Sequence, residues 1–109
     1  MNQVVLVGRL TSDPEIRELT DGTYRTTIRI AVSRDYKNLE GNNDADFVKC
    51  VLWNGIAGAT KNYCHKGDLV GIKGKLQSYN FETSEKEHRS ALEVIVEKIT
   101  FISTKKVEN

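Results

Sequence analysis

The sequence predicts an all-β domain: a five-stranded Greek-key barrel with one short helix. Three observations predict it. Apolar residues recur with period two along most of the chain, a helical period replaces it in one stretch between residues 54 and 67, and clusters of turn-forming residues separate the segments. At 109 residues, 39% of them hydrophobic, the chain is the size of a single domain that can bury a core without disulfide staples.

The first strand is Val4 to Leu10, ended by the turn-rich Thr11, Ser12, Asp13 and Pro14. Asp21-Gly22 is a hairpin signal. After it Tyr24 to Arg34 alternates, with Ile28, Ile30 and Val32 on one face and Arg25, Thr27, Arg29 and Ser33 on the other. Asp35 to Asp46, with Gly41, Asn42, Asn43 and Asp44 at its middle, is polar enough to be a mobile loop. The third strand, Phe47 to Trp53, sets Val48, Cys50 and Leu52 against Phe47, Lys49, Val51 and Trp53, so both faces carry large side chains. Ile56, Ala59, Thr60 and Tyr63 then fall at helical spacing; Asn54 suits the start of that helix and Gly67 a left-handed cap at its end. Leu69 to Phe81 returns to alternation, with Val70, Ile72, Gly74 and Leu76 opposite Lys73, Lys75, Gln77, Tyr79 and Phe81. Thr83 to His88 is a charged turn, and Ser90 to Ser103 is a long last strand whose apolar parity slips between Val96 and Ile99, the mark of a bulge or barrel corner. Five strands with a helix between the third and fourth is the order of the OB-fold. The domain is expected to span residues 1–104, leaving 105–109 as a short end.

Much chemistry is excluded. Cys50 and Cys64 form no CxxC and have no paired histidines nearby, so neither zinc ligation nor a secreted disulfide framework is expected; a reducing cytoplasm fits. The apolar run Val4 to Val7 is too short for a signal peptide or a membrane span. No GxxxxGK[ST], HExxH or GxSxG motif occurs, and His65 and His88 sit at a helix end and in a charged turn. Asp13, Glu15, Glu18 and Asp21 read as a solvated loop rather than a metal cluster. No catalytic residue, cofactor or metal is expected. The net charge of +1 leaves any contact with nucleic acid to the placement of charges, not their sum.

That placement is informative. Trp53, Phe47, Tyr79 and Phe81 share strand faces with Lys49, Lys73 and Lys75, and Arg25 and Arg29 occupy the matching face of the earlier strand. Flat rings interleaved with cations are what sequence-tolerant binding of unpaired strands needs, since bases stack on rings while cations follow phosphates. The same rings could instead form a second small core or a dimer contact. Tyr36, in the polar loop, has no apolar period to join and points to base contact. Tyr24, Tyr63 and Phe101 are assigned to packing.

The residues also resemble a known family, the bacterial-type single-stranded DNA-binding proteins, including phage-encoded members. The resemblance is carried by Met1-Asn2, Val7-Gly8-Arg9-Leu10-Thr11, Asp13-Pro14-Glu15-Ile16-Arg17, Gly22 and Ala31-Val32-Ser33-Arg34. It continues through Asp46-Phe47-Val48, Val51-Leu52-Trp53, Tyr63-Cys64-His65-Lys66-Gly67, Gly74-Lys75-Leu76-Gln77 and Glu93-Val94-Ile95-Val96, covering nearly the whole chain in order. It implies an OB-fold subunit of a homotetramer that wraps single-stranded DNA in replication, recombination and repair. Carried over by position, the stacking residues it implies are Tyr36, Phe47, Trp53 and Phe81, with Tyr79 as a neighbour. The cations placed to meet phosphate are Arg9, Arg29, Arg34, Lys49, Lys66, Lys73 and Lys75.

There are departures. The chain stops at Lys105-Lys106-Val107-Glu108-Asn109, without the flexible linker and acidic tip by which family members recruit replication and repair proteins, so recruitment through a tail is not expected. The turn Glu82 to Glu87 lacks the glycine common in the family, and Ser90 stands where an aromatic is frequent. The competing expectations are a tail-less primosome-type replication accessory or an RNA-binding module on the same barrel and, more remotely, a barrel nuclease.

Overall fold

The computed structural model describes residues 1–37 and 39–103, with the backbone alone at Tyr36 and Lys37. The chain order is β1 (Val4–Leu10), β2 (Glu15–Glu18), β3 (Tyr24–Lys37), β4 (Asn43–Trp53), α1 (Asn54–Tyr63), β5 (Leu69–Glu82) and β6 (His88–Ser103). Antiparallel pairs β1–β5, β5–β6, β4–β3 and β3–β1 and the parallel pair β4–β6 close five strands on themselves, as the OB-fold requires. β2 lies outside the ring, paired only with β3.

Alternation decides which side chains enter. Leu10 of β1, Ile28 and Ile30 of β3, Cys50 and Leu52 of β4, Val70 and Ile72 of β5, and Val94 and Val96 of β6 form one buried cluster, joined by Ala57 of α1 and Cys64 just after it. Burial pushes the Cys50 thiol up to about 12; burial and the neighbouring Asp68 carboxylate push Cys64 up to about 11. Both cysteines are free and protonated at neutral pH.

The expected parity slip is a bulge. β5 pairs Lys73 with Lys98 and the next residue, Gly74, with Val96, so Glu97 is the extra residue on β6. Gly74 is required there, because a Cβ on it would lie 2.2 Å from the Ile95 carbonyl oxygen. Beyond the bulge Val94 still enters the core and Glu93 is buried; from Ser78 and Leu92 outward β5 and β6 run on as a hairpin largely exposed on both faces, and Leu76 and Leu92 stand in solvent.

Four expectations are corrected. The segment after Pro14 forms β2, a strand exposed at every residue and therefore without alternation to announce it. The polar loop is largely two arms of a hairpin: β3 extends to Lys37, β4 begins at Asn43, and Gly41 turns at φ +84°. α1 stops at Tyr63, and its caps differ from those expected. Asn54 gives no capping bond; its Oδ1 accepts from the Tyr24 N–H, and Gly67 (φ +91°) sits in the following turn, its N–H donating to the Leu10 carbonyl. Tyr24 and Tyr63 do not pack inside. They stand at the first residue of β3 and in the last turn of α1, at 43% and 64% exposure, and the Tyr63 ring meets Phe101 at 6.0 Å instead.

Candidate nucleic-acid interface

Cross-strand register assembles one outward face from residues far apart in sequence. Arg25, Thr27, Arg29 and Ala31 of β3 stand opposite Trp53, Val51, Lys49 and Phe47 of β4. On the far side of β3, Arg17 and Glu15 of β2 stand opposite Arg25 and Thr27, and Arg9 of β1 opposite Ala31. The parallel pairing of Val51 with Ile95 carries the face to β6, and Ile95, Glu93, Ala91 and Arg89 pass it to Lys75, Gln77, Tyr79 and Phe81 of β5. The odd-numbered faces picked out in the sequence are therefore one surface.

Its rings are accessible. Phe47 is 62%, Phe81 41% and Trp53 37% exposed. Phe47 and Trp53 mark the two ends of a β4 stretch about 20 Å long, while Tyr79 and Phe81 lie 6.0 Å apart, tilted, on the projecting hairpin. Val51, between the β4 rings, is buried, so the middle of this strand belongs to the barrel wall. Tyr36 lies in the outer part of β3 and its side chain falls outside the described residues.

The cations differ in what they already hold. Arg29, Lys66, Lys73 and Lys75 are exposed and, among the described residues, in no ion pair. Lys66 sits in the turn after α1, where its backbone N–H donates to Asp13 Oδ1 at 2.7 Å. Lys73 stands beside Val5 of β1 and Lys98 of β6, six residues and about 20 Å of strand from Tyr79. Arg9 donates through Nη1 to the Gly67 carbonyl at 2.9 Å. Arg34 is paired with Asp46, donating to Oδ1 through Nε at 3.1 Å and Nη2 at 2.7 Å; these bonds hold the Asp46 carboxyl below the usual carboxylate range. Lys49 is the most committed: its Nζ lies 3.4 Å from Glu93 Oε2 and 4.2 Å from the centre of the Tyr79 ring.

Arg25 was seen in the sequence only as a cation on the matching face, yet its guanidinium carbon lies 5.6 Å over the Trp53 ring. Arg17 was seen only within a motif. Register across β2 joins them, and β2 left no periodic signal. Among the described residues no group of three His, Cys, Asp or Glu is placed to hold a metal ion, and no helix is long and apolar enough to cross a membrane. Asp13 and Asp21 of the acidic stretch serve local structure, Asp13 holding Lys66 and Asp21 accepting from the Thr23 N–H and hydroxyl, which lowers its pKa.

Known proteins resemble this chain along almost its whole length. The chain is 41% identical over 105 residues to a single-stranded DNA-binding protein of Oceanobacillus iheyensis, covering 96% of this chain and 65% of that protein. It is 40% identical over 104 residues to single-stranded DNA-binding protein B of Bacillus subtilis, covering 95% of this chain and 92% of that one. A single-stranded DNA-binding protein of Lactiplantibacillus plantarum matches at 40% over 105 residues, where this chain spans about half, 52%, of the relative. The sequence signature of the single-strand binding protein family matches residues 1–102, and with identities of this size along almost its entire length the chain belongs to that family.

Proposed function

We propose that the protein binds single-stranded DNA without sequence preference, stacking bases on Phe47, Trp53, Tyr79, Phe81 and Tyr36 and meeting phosphates with Lys and Arg side chains on and around that face. The observation that carries this is the single surface on which Phe47, Trp53, Tyr79 and Phe81 are brought together with cations by register across β3, β4, β6 and β5. Rings supply attraction that tolerates any base, about 1–3 kcal/mol per stack, and cations supply attraction that any sequence satisfies through its backbone. Arg29, Lys66, Lys73 and Lys75 meet phosphate directly, whereas Arg9, Arg34 and Lys49 must first give up the partners described above.

The action is binding and protection of the strand in replication, recombination and repair in the cytoplasm, with no catalytic step, metal or cofactor. The working assembly is a homotetramer, a reading supported by Val5 and Val7, which point outward from β1 at 70% and 50% exposure. Sedimentation that finds only the 12.3 kDa chain at micromolar concentration would refute the assembly.

Trp53 is the only tryptophan and reports on binding directly. Its fluorescence, titrated with poly(dT) at several salt concentrations, is expected to be quenched by the single strand, weakly or not at all by duplex DNA, and less as salt rises. No quenching and no binding would overturn the proposal. Equal competition by poly(U) would redirect it to RNA.

A further inference from the structure

The geometry points to a phosphate subsite that extends the interface beyond Trp53 onto the β2–β3 ribbon, formed by Arg17 and Arg25. It rests on the reading that Trp53 stacks a base. The ligand is the backbone phosphate next to that base, and the strand leaves the barrel over β2 rather than ending at β4.

Three observations converge. Register puts Arg17, Arg25 and Trp53 in one row across β2, β3 and β4. Beside that row is a groove of about 330 Å³ lined by Glu15, Ile16, Arg17, Arg25 and Thr27, large enough for a phosphate and its sugar. The two guanidinium groups stand on directly opposed residues of neighbouring strands, an arrangement that destabilises a sheet unless an anion lies between or beside them. Among the described residues neither arginine has a carboxylate within ion-pair distance, and Arg25 Nε is buried with no hydrogen-bond partner. Glu15, the groove's one carboxylate, stands opposite Thr27, one row along.

The Arg25 guanidinium over the indole sets the arrangement of base and phosphate. A planar cation packed on the ring keeps its N–H edge in the plane of the stack, where it can donate to a phosphate flanking the stacked base. Arg17, on the exposed outer strand, closes the other side of the groove. Thymine, cytosine, adenine and guanine present the same phosphate there, so the subsite adds affinity without adding sequence preference.

The test uses Arg25→Ala, Arg25→Lys and Arg17→Ala, with binding to labelled poly(dT) measured by anisotropy from 0.05 to about 0.5 M salt and Trp53 quenching recorded separately. Each single-strand phosphate contact contributes about 0.7 to the slope of log K against log salt, or roughly fivefold in affinity at 0.1 M. Arg25→Ala and Arg17→Ala are each expected to flatten the slope by about 0.7 and weaken binding about fivefold at 0.1 M salt. Arg25→Lys is expected to keep the slope. Quenching persists in all three variants, because the base still reaches Trp53. Unchanged slopes in both alanine variants, with quenching intact, would overturn the subsite while leaving the stacking reading in place. Absence of quenching in the unsubstituted protein would instead remove the reading on which the subsite rests. Arg17 is on a fully exposed strand, so Arg17→Ala keeps the test decisive should Arg25→Ala fail to fold.

Discussion

The two ends of the candidate interface use the same pair of groups with opposite consequences. At the β5–β6 hairpin, Lys49 lies over the Tyr79 ring and is neutralised by Glu93, whose side chain is almost wholly buried. At the β2–β3 ribbon, Arg25 lies over the Trp53 ring and, among the described residues, in no ion pair. A cation on an aromatic face is thus not by itself an available cation. What separates the two is a single acidic side chain on β6, which turns Lys49 into a support for a ring and leaves Arg25 with capacity for an external anion. Composition counts both as one positive charge, and only the neighbouring strand tells them apart.

The largest effect that sharpens this comparison comes from the rings. Trp53→Ala is expected to weaken poly(dT) binding by about 1–3 kcal/mol, roughly 5- to 150-fold, with the salt slope unchanged. Tyr79→Ala is expected to lose less, because Glu93 holds Lys49 against its ring and Phe81 lies beside it, whereas among the described residues the cation over Trp53 is held by no ion pair and can make way for a base. Anisotropy titrations of both variants across a salt series decide the matter. A larger loss at Tyr79 than at Trp53 would reverse the assignment of which end is open.

The next effect concerns Lys49 itself. If Glu93 holds it, Lys49→Ala should leave the slope nearly unchanged, whereas Lys75→Ala, which removes an exposed cation in no ion pair, should flatten it by about 0.7. Glu93→Gln should do the converse: the lysine is released and the slope steepens by up to about 0.7, at a stability cost of about 1–2 kcal/mol read from urea unfolding. The penalty is intermediate because the pair is neither fully exposed nor sealed, with Lys49 still 26% accessible. Equal flattening by Lys49→Ala and Lys75→Ala would mean that phosphate captures Lys49 in spite of Glu93.

How much of this was legible in the sequence follows from burial. Ile28, Ile30, Cys50, Leu52, Val70 and Ile72 alternate with polar residues because one face of each strand enters a barrel, and that alternation located the strands and the bulge near Glu97. β2 was invisible for the same reason: Glu15 to Glu18 are all exposed, so nothing in their order distinguishes strand from loop. The hairpin arms flanking Gly41 were missed because backbone pairing, such as Lys37 with Asn43, stabilises extended polar residues without an apolar signature. Among the residues proposed for the site, Phe47, Trp53, Tyr79 and Phe81 stand out in the sequence by parity, and the face they share needs only the register that barrel closure imposes. The pairings of Lys49 with Glu93, Arg34 with Asp46 and Arg25 with Trp53 depend on inter-strand register, which no single strand encodes.

The smallest expected effect is the most selective, because its sign is opposite to the others. Glu15 is the one negative charge lining the groove beside Arg17 and Arg25. A phosphate entering that groove at about 8 Å from the carboxylate meets a repulsion of about 0.5 kcal/mol at the dielectric of water, less once salt screens it. Glu15→Gln removes that repulsion without changing the size of the side chain, and is expected to tighten poly(dT) binding about twofold at low salt, the gain shrinking as salt rises. In an Arg25→Ala, Arg17→Ala background, where no phosphate is drawn to the groove, the same substitution should have no effect. A double-mutant cycle measures this directly, and a gain of equal size in both backgrounds would show that Glu15 acts only through the overall charge of the surface, erasing the distinction between the open and the neutralised end.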